Sequence, residues 1–141
     1  MSGIIGVSPD MRSGVVGVFP DGQVIQVQST TLTTGYTAIN SSFTDITGLS
    51  VVITPKFSNS KVLVLVSQVS NTFGYIYNSG AAFVETRSMN FLDSPATTSA
   101  TTYKVQAGGS SSVFVNMSST DTDAANFGRQ VSTITVMEVA Q

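Results

Sequence analysis

The stretch KVLVLVSQV, residues 61–69, decides the fold. It is short, rich in β-branched side chains and bounded by turn-forming residues, so it reads as a strand rather than a helix. In a sandwich strand one face enters the core and the other meets water, and apolar residues then occupy alternate positions only. Here Leu63, Leu65 and Val69 take one face while Val62, Val64 and Val66 take the other. Both faces call for cover. The surplus one, Val62, Val64 and Val66, is expected to form an interface between copies of the chain, and a homotrimer is the expected assembly.

Working outward, runs of the same kind occur at 23–28, 49–54, 82–86, 102–107, 113–117 and 132–139, separated by turn signals at Asp21-Gly22, Thr47-Gly48, Pro55 to Ser60, Asn78-Ser79-Gly80 and Gly108-Gly109. No segment of a dozen residues sustains a helical apolar period. Gly108-Gly109 lies between two alternating segments, and a tight hairpin is expected there. On its first strand Tyr103, Val105 and Ala107 share a face, and on its second Val113, Val115 and Met117 do. The hydroxyl-rich run SPATTSATTYKVQ, 94–106, passes without a break into a strand. It therefore reads as a turn and a lead-in or edge strand, not as a linker between domains.

The expectation is one all-β domain of about eight strands, an antiparallel β-sandwich of jelly-roll-like form spanning residues 21–141. Residues 1–20 are too glycine-rich for a helix and too apolar for a free tail, and read as an extended docking arm whose contacts are Ile4, Ile5, Val7, Val15, Val16, Val18 and Phe19. Residues 119–129 read as a long polar loop.

Apolar residues make up 41% of the chain and charged residues only 10%, so hydroxyls and amides must supply the polar surface. Ser and Thr together are about a quarter of the residues, a coat suited to a surface repeated many times in an assembly. Three lysines and three arginines scattered along a chain of net charge −2 form no stripe that would neutralise phosphates, which argues against nucleic acid as a partner. No run reaches the roughly 18 apolar residues of a membrane helix, and no secretion signal is read at the amino terminus. The expectation is a soluble protein without membrane insertion.

The chain has no histidine, cysteine or tryptophan, which removes imidazole- and thiolate-based nucleophile activation and metal sites. Catalysis would fall to carboxylates such as Glu85 and Glu138, and Glu138, beside apolar neighbours, reads instead as an isolated surface or interface group. No enzyme and no cofactor is expected. Asp121-Thr122-Asp123 has the oxygen donors of a cation loop but no following bidentate glutamate, and reads as a solvated turn. Asn40-Ser41-Ser42 and Asn116-Met117-Ser118 match the glycosylation pattern, which carries little information. Phe73, Tyr75 and Tyr77 either fill one face of a core strand or present rings for a glycan or protein contact. A carbohydrate-binding, receptor-recognition module is thus the alternative function, with a host surface glycan as its partner.

Taken in order, Pro20 to Val27, Phe43 to Pro55, Ser60 to Val64, Phe91 to Pro95 continuing to Gln106, and Ser132 to Glu138 form a series that resembles small virion structural or tail-fibre-like proteins of tailed bacteriophages, common among marine and cyanobacterial phages. The resemblance spans Gly17 to Val139. It implies a particle component, a tail fibre, tail-associated or capsid decoration protein located on the virion with capsid or tail proteins as partners. In similar sequences a longer, arginine-rich segment follows the Lys61 strand, whereas here Asn71 to Glu85 is short and aromatic. Deleting residues 2–20 is expected to leave a folded head that no longer co-purifies with particles; a truncated chain retained on them would contradict the arm assignment.

Overall fold

The computed structural model describes residues 19–38, 42–70, 85–108, 112–118 and 129–141. These build an all-β sandwich, with no helix among the described residues, from β1 (Val24–Leu32), β2 (Tyr36–Ala38), β3 (Thr44–Ile53), β4 (Lys61–Ser70), β5 (Glu85–Asp93), β6 (Thr101–Ala107), β7 (Val113–Val115) and β8 (Ser132–Val139). All pairings are antiparallel. The larger sheet runs β1-β8-β4, with β5 on the other side of β4 and the short β7 and β2 continuing beyond the end of β8; β3 and β6 form a second sheet.

Alternation in β8 and β4 sets the core. Ile134 lies beside Val66 and Val136 beside Val64, and these side chains point inward to meet Ile46, Leu49, Val51, Ile53, Val105 and Ala107 of the small sheet. Fully burying an aliphatic side chain of this kind contributes about 1.5–3 kcal/mol. Val62, Val64 and Val66 are therefore core residues and cannot form the expected interface between copies. The opposite face of β4, with Leu63 and Leu65 half-buried, is the one turned outward.

Several turn signals act differently from expectation. Thr47-Gly48 lies inside β3, where the pairing with β6 shifts between Asp45 and Ser50. Gly48 has φ 86°, and β3 takes five steps there against two on β6, an odd excess that re-phases the strand so that Ile46 and Leu49, three apart, both point inward. A Cβ on Gly48 would lie 3.0 Å from Leu32 Cδ1. β6 and β7 do not pair as the expected hairpin: β6 pairs with β3, while β7 pairs with β2 and touches β4 at Ser70. Val105, Ala107, Val113 and Val115 nonetheless enter one core, as their shared faces require. The Thr/Ser run before β6 is not a strand. It folds on itself, with the Ser99 N–H donating to Thr97 Oγ1 at 3.0 Å and Thr101 Oγ1 donating to Ser99 O at 3.2 Å.

Where β8 begins, a buried polar node joins three strands. Asn116, with φ 60° and 1% exposure, donates from Nδ2 to Leu32 O at 2.7 Å and to Thr34 O at 3.2 Å. Its Oδ1 accepts the Ser132 hydroxyl at 2.6 Å, and Ser132 Oγ accepts the Val69 N–H at 3.0 Å. The Asn116 backbone adds a bond to Val69 O and another from the Gln130 N–H. Since the side-chain amide is committed to carbonyls inside the protein, Asn116 is not a glycosylation acceptor in this fold.

Removing that amide strands buried carbonyls and a hydroxyl, each costing about 1–3 kcal/mol. Asn116→Gly is expected to lower unfolding stability by about 2–3 kcal/mol, read from a urea midpoint. Asn116→Ala is expected to cost about 1–2 kcal/mol more, because alanine tolerates a positive φ poorly. Equal losses in the two variants would contradict the strain argument.

Candidate functional site

β5, ETRSMNFLD, is where the sandwich is open. It pairs with β4 along its whole length, Val62 opposite Asp93 through Ser70 opposite Glu85. Among the described residues no strand pairs with its other edge. Register and alternation place Arg87, Met89, Phe91 and Asp93 on the inward face and Thr86, Ser88, Asn90 and Leu92 on the outward one. Inward position does not bury them: Met89 is 49% and Phe91 62% exposed, although their neighbours Val66 and Val64 lie in the core.

The small sheet explains the difference. At the Asp93 end of β5 the Tyr103 hydroxyl of β6 donates to Asp93 Oδ2 at 2.6 Å, linking the two sheets on this side. Farther along β5, Phe91 and Met89 stand outside the cover. Burial, together with a hydrogen bond to a carboxylate and the charge it carries, pushes the Tyr103 phenol above the ordinary tyrosine range.

The outward face has an apolar row of its own. Val27, Met137, Leu63 and Leu92 lie side by side across β1, β8, β4 and β5, with Val27 and Leu92 about half exposed. The next rows are polar or mixed, including the Ser29 and Thr135 hydroxyls 2.8 Å apart. On the small sheet, Asp45 accepts from Lys104 Nζ at 2.8 Å and from Gln106 Nε2 at 2.7 Å, and these bonds hold its exposed carboxyl below the usual range.

The carboxylates weighed for catalysis lie far apart. Glu85 sits opposite Ser70 and Glu138 opposite Val62, so the eight steps between them along β4 separate them by about 26 Å. A glycosidase pair requires about 5–9.5 Å. Glu138 is also not a surface group. It is fully buried and accepts the Lys56 N–H at 2.7 Å and the Phe57 N–H at 3.2 Å, pinning the β3–β4 turn. With its amide turned to suit, Gln26 donates to Thr54 O and to Glu138 Oε2, each at 3.1 Å. Glu85 instead pairs with Arg87 at 3.2 Å near the surface.

Of the expected arm contacts, Ile4, Ile5, Val7, Val15, Val16 and Val18 lie outside the described residues. Phe19 lies within them and packs edge-on against Phe57 with ring centroids 6.0 Å apart, on the turn that Glu138 holds. Phe73, Tyr75, Tyr77, Asp121, Asp123 and Asn40 also lie outside the described residues. Sequence reasoning did not single out Met89, Phe91 or Leu92. The signal available was a short run with no lysine or proline and with its charges confined to the flanks.

No family model, curated protein or solved structure matches the chain.

The raised phenol yields a pH expectation. A group whose folded pKa lies above its unfolded value stabilises the fold fully below the unfolded value, about 10 for tyrosine, and loses that contribution as pH rises beyond it. In a spectrophotometric titration of the four tyrosines, a late component is expected that disappears in Tyr103→Phe. An unchanged titration tail in that variant would contradict the assignment.

Proposed function

We propose that this chain is a structural component of a tailed bacteriophage particle, a β-sandwich module that assembles with copies of itself and with capsid or tail proteins. The observation that carries the reading is the β5 edge, which no strand pairs among the described residues and which bears Met89, Phe91 and Leu92. A strand edge offers unpaired N–H and C=O groups to any incoming chain, and proteins that must stay separate blunt such edges with lysines, prolines, bulges or inward charges. Here the inward charges Arg87 and Asp93 stand toward the two ends of β5, and its centre, Ser88-Met89-Asn90-Phe91-Leu92, carries none.

The chain-wide composition supports the same reading. With 10% charged residues the surface has little electrostatic means of keeping neighbours apart. A subunit repeated in a particle has no need of one. The case for self-association made from β4 falls with the burial of Val62, Val64 and Val66, and β5 takes its place. The resemblance to small virion proteins from Gly17 to Val139 supplies the particle, and residues 1–20 remain the proposed docking arm.

Phe91→Lys tests the reading, because the side chain is already exposed and unfolding stability should move by no more than about 0.5 kcal/mol. Wild-type chain is expected at a fixed copy number in purified particles, and the variant is expected to be depleted from them. Undiminished incorporation of the variant, or a wild-type chain found only outside particles, would overturn the proposal.

A further inference from the structure

We infer that the occupant of the β5 edge is the β5 edge of a second copy, paired antiparallel about a twofold axis at Asn90. This rests on reading β5 as the assembly surface and names its partner. In an antiparallel ladder only alternate residues turn their N–H and C=O groups toward a given side. Two copies of one edge can therefore meet only in registers that pair odd residues with odd and even with even. The same condition places the inward faces of both copies on one side.

Among those registers, side-chain chemistry selects one. Centred on Met89, the pairing sets Glu85 against Asp93, two carboxylates. Centred on Ser88, it sets Glu85 against Phe91 and Arg87 against Met89. Centred on Phe91, it leaves Arg87 opposite Pro95. Centred on Asn90, it sets Arg87 against Asp93, Met89 against Phe91 and Ser88 against Leu92. Each copy then presents Arg87-Met89-Phe91-Asp93 to the same series reversed. Unlike charges meet at both ends, and two methionines and two phenylalanines meet between them.

The surrounding structure prepares both charged positions. Tyr103 holds the Asp93 carboxylate at the strand end, and Glu85 lies 3.2 Å from the Arg87 guanidinium, so a second carboxylate from the other copy completes a charge cluster. The exposed inward surfaces of Met89 and Phe91, which the small sheet leaves uncovered, become each other's cover. The two large sheets join edge to edge in the order β1-β8-β4-β5, then β5-β4-β8-β1 of the second copy. Such a twofold contact is self-complementary and closes on itself, unlike a head-to-tail contact that needs a ring.

Because the chain has no cysteine, single cysteines report the register without background. Asn90→Cys replaces an exposed residue that would face its own copy across the axis. Under mild oxidation it is expected to form a disulfide-linked dimer at least about tenfold faster than Ser88→Cys or Leu92→Cys alone, since pairing holds the two thiols at a high effective concentration. A mixture of the Ser88→Cys and Leu92→Cys proteins is expected to cross-link to each other. Light scattering is expected to give twice the 14.7 kDa chain mass for wild type and a single chain mass for Phe91→Lys. Equal cross-linking at the three positions, or a trimer, would overturn the twofold register. A wild-type monomer whose incorporation into particles still depends on Phe91 would overturn this inference and leave the assembly role standing. A cross-linked dimer that never enters particles would do the reverse.

Discussion

The β3–β6 pair covers the inner face of β8 and β4 but meets β5 through the Tyr103–Asp93 hydrogen bond at one end, and this shortfall shapes the rest of the surface. Val64 and Val66 lie under the cover, whereas Phe91 and Met89, directly beside them on β5, do not. Apolar area that is inward by register yet open to water is a standing drive toward association. Hydrogen-bonding capacity on the β5 edge, unpaired among the described residues, gives that drive a direction.

Buried polar groups tie both ends of β4. At one end of β4 the Asn116–Ser132 pair ties Leu32, Thr34 and Val69 together, so β1, β4, β7 and β8 cannot slide independently. At the other end Glu138 accepts two backbone N–H groups from the β3–β4 turn, on which Phe19 packs. Buried polar groups satisfied in this way specify a register, because any slip would strand them without partners. β4 is thus held at both ends, and β5 inherits its position from β4.

Much of this was legible in the residues and some was not. β8 announces itself through alternation and β4 through β-branching in a short apolar run, and the shared faces of 103–107 and 113–117 correctly placed Val105, Ala107, Val113 and Val115 in one core. The partners of those strands were illegible, since pairing is a long-range choice and two glycines looked like a hairpin. Glu138 was readable in principle: it has the parity of Ile134 and Val136, and alternation puts it inside whatever its charge. β5 was recognised only at its start, because Met89, Phe91 and Leu92 are not β-branched and do not keep a period of two. In 61–69 the face expected to be outward is the one that enters the core. Leu63 and Leu65, not the valines, are the outward set, and among the described residues β5 rather than β4 has an unpaired edge.

The most direct test of β5 as a surface for strand addition is amide hydrogen exchange measured from dilute to concentrated protein. Amides between Arg87 and Asp93 that point away from β4 are expected to gain protection as concentration rises. Those of β8, already paired on both sides by β1 and β4, are expected not to change. β5 amides that exchange at the same rate throughout the concentration series, while the protein demonstrably associates, would contradict the account and move the contact elsewhere on the surface.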